Sequence, residues 1–136
     1  MRGGPDRENR NDLYIMSRPP ADLEIVQQPF LPNPLVVIAA EGHRLAGRRG
    51  IDLSELSDER FILRERGSGT RLACDEHFAA CAFVPSVRLE LGSNEAIKQS
   101  VAGGMGLAVI SRHALGAHLE DEQLSVLDVK GFPIHS

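Results

Sequence analysis

The sequence lacks several features that would each define a class of protein. No apolar run approaches the roughly 20 residues that a membrane-spanning helix needs, and the N-terminus has no apolar core of the secretory-signal type. Positive charge is not in excess, because 15 Lys and Arg face 19 Asp and Glu, which gives a formal net charge of −4. Such a chain does not coat nucleic acid through a general basic field. These absences predict a cytoplasmic protein with no membrane partner.

Cysteine is scarce, and its spacing excludes an internal disulfide. Cys74 and Cys81 fall in one predicted helix, about two turns or roughly 10 Å apart, whereas a disulfide needs Cα atoms within about 7 Å. We therefore predict two reduced, half-buried thiols. Cys74, His77 and Cys81 could share a helix face, but structural zinc sites usually have four ligands, and no second Cys/His cluster supplies the remainder. We expect no metal and a packing role.

Catalytic motifs are also absent from the sequence. Gly103-Gly104-Met105-Gly106 lacks the Lys and Ser or Thr of a phosphate-binding loop and precedes a strand-like run, so it predicts a turn. There is no Gly-x-Ser-x-Gly elbow, and the five histidines form no recognisable triad or metal pattern. The chain is therefore not predicted to be an enzyme and is expected to have no catalytic residues and no cofactor.

Apolar runs and helix-like segments alternate along the chain. With 136 residues, of which 42% are hydrophobic, the chain can bury one substantial core. Residues 35–40 are apolar without alternation, which is typical of a strand buried on both faces. The pattern predicts an α/β fold with a parallel or mixed sheet flanked by helices. Predicted strands cover residues 13–16, 23–30, 35–40, 61–63, 87–91, 106–110 and 124–129, and predicted helices cover 52–56, 70–83, 94–102 and 113–120.

Two polar turns stand out, because each follows a strand-like run and opens a helix-like one. They are residues 64–71, with the sequence RERGSGTR, and residues 92–95, with the sequence GSNE. The first backbone N–H groups of a helix lack internal partners, and Ser, Thr or Asn there can cap the helix while facing a ligand. The first turn also carries three guanidinium groups, which suit phosphate or carboxylate. Two such turns suggest one pocket for an anion, although capped helices with solvated arginines are the alternative.

Five strings resemble a known family in order and spacing. They are NDLYIMSRPP (11–20), FLPNPLVV (30–37), LRERGSGTR (63–71), ELGSNEAIKQ (90–99) and VAGGMGLAV (101–109). These strings resemble the effector-binding domain of LysR-type transcriptional regulators, particularly the CbbR branch that controls carbon-fixation operons. The resemblance implies a type 2 periplasmic-binding-protein-like fold, in which two α/β lobes are joined by crossover strands and the effector lies between them.

The resemblance also implies a division of the chain. Residues 1–10 would be a disordered or expression-derived start, 11–34 the remnant of a mostly missing first lobe with its crossover, 35–127 the second lobe, and 128–136 a truncated return crossover. The family's winged helix-turn-helix has no counterpart in this sequence. Operator DNA is therefore expected as a partner of the full-length protein only.

The expected function is that of a sensor that binds a small anionic, phosphorylated metabolite in the interlobe cleft. Ser17 and Arg18 are included on the resemblance alone, because the corresponding strand end lines the family's cleft. The alternative is a self-association module, forming a homodimer or larger assembly, that uses the helix around Cys74 and an exposed sheet edge. The expected effector-binding residues are Ser68, Thr70, Arg71, Arg64, Ser93, Asn94, Ser17 and Arg18.

Overall fold

The computed structural model describes residues 33–135 and the backbone of two short strands near the N-terminus. The chain divides into two units, Met1–Pro32 and Asn33–Ser136. In the first unit, β1 (Gly4–Pro5) pairs in parallel with β2 (Arg7–Glu8). The strands predicted at 13–16 and 23–30 lie outside the described residues.

The second unit is built on one mixed sheet. Its strands are β3 (Pro34–Ala40), β4 (Arg60–Arg64), β5 (Ser86–Leu91), β6 (Leu107–Ser111), β7 (Leu124–Leu127) and β8 (Ile134–His135). The order is β5-β4-β6-β3-β7, and β8 also pairs with β3. β4 runs parallel to both β5 and β6, whereas β3 is antiparallel to β6, β7 and β8. The predicted mixed sheet is confirmed.

Two α-helices and three short 3-10 helices connect these strands. The α-helices are α1 (Gly69–Ala80) and α2 (Asn94–Ala102), and the 3-10 helices are Leu53–Leu56, Arg112–Ala114 and Leu119–Glu122. The single helix predicted over 113–120 is wrong. Gly116, a poor helix former, separates two 3-10 segments, and its N–H donates to Oε2 of Glu122 at 2.7 Å instead of to a helical carbonyl.

The core has one layer on each face of the sheet. Within β3, Leu35, Val37 and Ala39 contribute to the cluster that contains Phe78 of α1. Val36 and Ile38 contribute to the opposite cluster, which contains Ile97 and Val101 of α2. Successive strand residues point to opposite faces, and both faces are covered here, so the apolar run of β3 has no polar alternation. This packing fixes the two helices, and therefore their N-termini, against the sheet.

The two cysteines differ more than their spacing suggests. Cys74 is 1% exposed, whereas Cys81 is exposed, and both thiols are free. The expectation of two reduced thiols is confirmed, but the expectation that both are half-buried is wrong. The reason is that α1 ends at Ala80, before the predicted limit at residue 83, and Ala82 then takes a left-handed backbone conformation with φ of 54°.

Across residues 33–135, no three His, Cys, Asp or Glu side chains are grouped so that they could hold a metal ion. In the same range, no helix has both the length and the apolar character needed to cross a membrane.

Candidate functional site

Several chain segments meet at one edge of the sheet, here called the carboxyl edge. The parallel strands β4, β5 and β6 all end there, and the antiparallel strand β3 begins there. The first turn (residues 64–71) begins at the last residue of β4, and the second turn (residues 92–95) follows β5. Ligands of open α/β sheets bind outside the carboxyl ends of the strands. This edge is therefore the candidate site.

The two hydroxyl groups of the first turn differ in their hydrogen bonding. Ser68 is the N-cap of α1, and its Oγ accepts from the backbone N–H of Arg71 at 2.9 Å. Thr70 is partly buried, and its hydroxyl makes no hydrogen bond with the part of the chain that the structure describes. Ser68 therefore already has a structural role, whereas Thr70 offers a hydroxyl that a ligand could use.

Arg71 makes the densest set of polar contacts at this edge. Its Nε lies 3.0 Å from both carboxylate oxygens of Asp75, and its Nη1 donates to Oε2 of Glu90 at 3.0 Å and to the carbonyl of Arg64 at 2.9 Å. Arg71 is only 7% exposed. Burial alone lowers the pKa of its guanidinium, but the hydrogen bonds to Glu90 and Asp75 outweigh burial and raise the pKa. The charge is therefore retained and neutralised locally.

The second turn is joined to the first through a side-chain contact. Ser93 caps α2, and its Oγ accepts from the N–H of Ala96 at 3.1 Å. Asn94 accepts through Oδ1 from Nη1 of Arg64 at 3.1 Å. Arg64 also donates through Nε to Oε1 of Glu65 at 3.0 Å, and this hydrogen bond lowers the pKa of the Glu65 carboxyl. Arg64 therefore bridges the two polar turns.

Six of the eight expected effector-binding residues lie at the carboxyl edge. They are Arg64, Ser68, Thr70, Arg71, Ser93 and Asn94. The other two, Ser17 and Arg18, lie outside the described residues. The sequence predicts that both turns line one pocket. The contact between Arg64 and Asn94 makes the turns direct neighbours, but two depressions beside them are each lined by one turn only.

Several surface depressions lie close to these turns, and two of them contain charged side chains of interest. One, of about 300 Å³, is lined by Arg66, Gly67, Ser68, Gly69, Arg71, Leu72 and Asp75. A larger one, of about 390 Å³, runs along α2, where the ammonium group of Lys98 is bound by Glu95 and Glu122. Two carboxylates around one ammonium do not favour an anion. The smaller depression therefore suits an anion better than the larger one, although only Ser68 and Arg71 of the expected effector-binding residues line it.

Several residues that build the carboxyl edge were not predicted from the sequence. Asp75 and Glu90 are the partners of Arg71, and of these Asp75 had a signal, because it lies four residues after Arg71 on a predicted helix. Ser111 donates through Oγ to Oδ1 of Asn33 at 2.8 Å. Ser111 ends a buried strand, as Arg64 does, so the rule for strand carboxyl ends could have identified it.

Comparison with known proteins gives a consistent result. The family model described as the LysR substrate binding domain matches residues 7–136. The chain is 48% identical to a RuBisCO operon transcriptional regulator of Acidithiobacillus ferrooxidans, over 93% of the chain and 41% of that protein. It is 45% identical to the HTH-type transcriptional activator CmpR of Synechocystis, over 93% of the chain and 41% of that protein. The chain thus spans about two fifths of the length of these curated relatives.

Solved structures show the same fold. The CcmR regulatory domain of Synechocystis PCC6803, solved in complex with 2-PG, superposes with a TM-score of 0.76 and 52% identity, covering 90% of this chain and 59% of that chain. Reduced OxyR, at 21% identity and a TM-score of 0.62, shares the fold. The expected periplasmic-binding-protein-like α/β fold is confirmed. With the family match over residues 7–136, these findings establish that the chain belongs to the LysR substrate-binding domain family.

Proposed function

We propose that this chain is the effector-binding part of a LysR-type regulator of carbon-fixation genes and that it binds a small phosphorylated anion at the carboxyl edge. The observation that carries the proposal is the hydrogen bond from Arg64 to Asn94, which brings two capped helix starts together. Two relatives support it, one named for the RuBisCO operon and one solved with 2-PG. A cytoplasmic location follows from this role.

The proposed contacts follow from the donors present at the edge. The starts of α1 and α2 supply backbone N–H groups and the positive end of each helix dipole, both of which favour an anion. Thr70 adds a hydroxyl, and Arg64 adds guanidinium N–H donors. Ser68 and Ser93 hold the helix starts in shape and also face the edge, and in a complete cleft Ser17 and Arg18 would contribute from the first lobe.

Binding at such a site becomes a signal only if it favours one conformation. A ligand shifts a conformational equilibrium by its difference in affinity between the states. In the full-length protein we expect that difference to change the geometry of the domains that contact operator DNA. Operator DNA is therefore proposed as a partner of the full-length protein.

Self-association is compatible with this role and is not proposed as the main function, because the relatives are named as transcriptional regulators. β5 is an edge strand of the sheet, and Val87 on it is 43% exposed. An unpaired strand can pair with a second chain. Light scattering over a range of concentrations tests this, and a mass that stays monomeric throughout contradicts it.

The decisive test is calorimetric titration of 2-PG into the chain and its Thr70→Val variant. Valine has nearly the same shape as threonine, and the described structure loses no protein hydrogen bond, so the melting temperature should hold within a few degrees. Loss of a ligand hydrogen bond should weaken binding by about tenfold or more, since about 1.4 kcal/mol corresponds to tenfold. The control is Ser86→Ala, which removes a hydroxyl at the start of β5, at the end of the sheet opposite to the carboxyl edge. Equal affinity of Thr70→Val and the unmodified chain would contradict the site.

A further inference from the structure

We propose that Arg71 is a positioning residue that aligns the two turns, and that it is not the cation that meets the ligand. Glu90 and Asp75 act with it. Arg71 was expected from the sequence to bind the effector, and the positioning role replaces that expectation. It rests on the proposed function and specifies how that site is built.

Two of the three guanidinium nitrogens of Arg71 are bound within the protein, and Nη2 makes no hydrogen bond with the described residues. Nε is held by both carboxylate oxygens of Asp75, and Nη1 is shared between Glu90 and the carbonyl of Arg64, all at 2.9–3.0 Å. With 7% of its surface exposed, the side chain is enclosed by the protein. A ligand could reach Nε or Nη1 only by displacing the carboxylates and the carbonyl that already contact them.

The same contacts join the three elements that carry the turns. Arg71 belongs to α1, the Arg64 carbonyl ends β4, and Glu90 lies on β5, two residues before the second turn begins. By holding the Arg64 carbonyl, Arg71 fixes the backbone from which the Arg64 side chain reaches Asn94. A rigid guanidinium fork is suited to this task because its donors have a fixed geometry.

The local charge balance supports a structural role. Arg64 and Arg71 together contact three carboxylates, those of Glu65, Asp75 and Glu90. The two arginines therefore provide no surplus positive charge. Arg66, exposed in the same turn, forms no ion pair within residues 33–135 and is the cation with freedom to approach an anion.

Glu90→Gln separates the two roles, because they predict opposite changes. If Arg71 were the countercharge, loss of a competing carboxylate would free it and 2-PG would bind more tightly. If Arg71 is a positioning residue, the weaker hydrogen bond loosens the alignment, and binding should weaken by about fivefold. The matched control is Glu76→Gln, which removes the same charge from an exposed position on α1 where no ion pair forms in the described structure. Calorimetry on the whole chain is the measurement, and unchanged or tighter binding by Glu90→Gln overturns the inference.

Arg71→Lys provides a second variant that keeps the charge and loses the fork. The positioning role predicts that its affinity falls as in Glu90→Gln, whereas a countercharge role predicts that most of the affinity is retained. Retained affinity in Arg71→Lys would also overturn the inference.

An experiment on the ligand-free chain tests the positioning role of Arg71 separately from the proposed function. In amide NMR spectra of the free chain, Glu90→Gln should shift the side-chain amide of Asn94 and the backbone N–H of Glu65, which donates to the Leu91 carbonyl at 3.1 Å. Glu76→Gln should leave both signals in place. Shifts confined to residues next to Glu90 in the sequence overturn the positioning role. If the unmodified chain binds no 2-PG, the proposed function fails while this readout still decides the role of Arg71.

Discussion

Nη1 of Arg64 lies 3.1 Å from Oδ1 of Asn94, although the two residues are 30 positions apart in the sequence. Arginine can only donate, so the Asn94 side chain must present its oxygen to Arg64. The amide nitrogen of Asn94 has no acceptor in the described part of the chain. One side chain thus joins the two turns and keeps a pair of donors for a ligand.

Asn94→Asp should keep the hydrogen bond from Arg64 and remove the amide donors that are proposed to bind the ligand. Aspartate keeps an acceptor for Arg64 and makes the hydrogen bond charge-assisted, and a carboxylate in the first turn of α2 also suits the helix dipole. The melting temperature should therefore stay the same or rise. The variant loses the amide donors and adds negative charge, so 2-PG should bind at least about tenfold more weakly.

The control for this change is Gln99→Glu, which adds the same charge at an exposed position further along α2. Its affinity for 2-PG should stay close to that of the unmodified chain. If Asn94→Asp also binds 2-PG normally in calorimetry, Asn94 does not contact the ligand.

The ion pair between Lys98 and Glu122 should make stability depend on acidic pH. Nζ of Lys98 lies 2.9 Å from Oε1 of Glu122, and the N–H of Gly116 donates to Oε2. These contacts, with Lys98 first, lower the pKa of Glu122 below its ordinary value of 4.5. A lowered folded-state pKa contributes stability above the ordinary pKa, and that contribution is lost as pH falls through the folded-state pKa.

The measurement is the urea midpoint between pH 6 and pH 3 for the chain and for Glu122→Gln. The variant should be less stable at pH 6, and the two curves should converge towards pH 3. Glu120→Gln, an exposed change on the same 3-10 helix, should follow the unmodified chain. If the difference in urea midpoint between the chain and Glu122→Gln stays constant from pH 6 to pH 3, the charge of Glu122 does not cause the pH dependence.

The sequence predicted the helices and strands that have a local pattern. It did not predict the positions of element ends that depend on tertiary contacts. β3 and β6 were found because each is an apolar run buried on both faces. The end of α1 was placed too late, because the Ala-rich segment after Phe78 favours a helix, whereas Phe83 turns back to pack edge-on against Phe78 with ring centroids 5.0 Å apart. Helix propensity is a weak guide against such packing.

In the candidate site, too, local features were predictable from the sequence and long-range contacts were not. The capping residues Ser68 and Ser93 were predictable, because a cap follows from a polar residue placed just before a helix. The partnership of Arg71 with Glu90, 19 residues away, was not predictable, because it needs β4 and β5 to pair in their observed register. The contact between Asn33 and Ser111 spans 78 positions and depends on the order of the whole sheet.

The two thiols should react very differently with iodoacetamide. Burial raises the pKa of the Cys74 thiol to about 12, and the side chain is 1% exposed, so it is neither ionised nor accessible at pH 8. Cys81 is exposed. Mass spectrometry should find one modification on the native chain and two in urea. Cys81→Ser should show none before unfolding, and rapid native labelling of that variant would contradict the burial of Cys74.

Gly106→Ala should destabilise the fold through a close backbone contact. A Cβ at this position would lie 2.5 Å from the carbonyl oxygen of Arg60, at a φ of 159°, so the backbone at the start of β4 or β6 must shift. A forced backbone conformation of this kind costs about 2 kcal/mol. Gly69→Ala is the matched control, because its Cβ meets nothing within 4 Å in the first turn of α1. That variant should gain about 0.5 kcal/mol from the lower entropy of the unfolded chain. Opposite shifts of the urea midpoint are therefore expected from the same chemical change, and equal midpoints would show that the approach of Gly106 to Arg60 relaxes without cost.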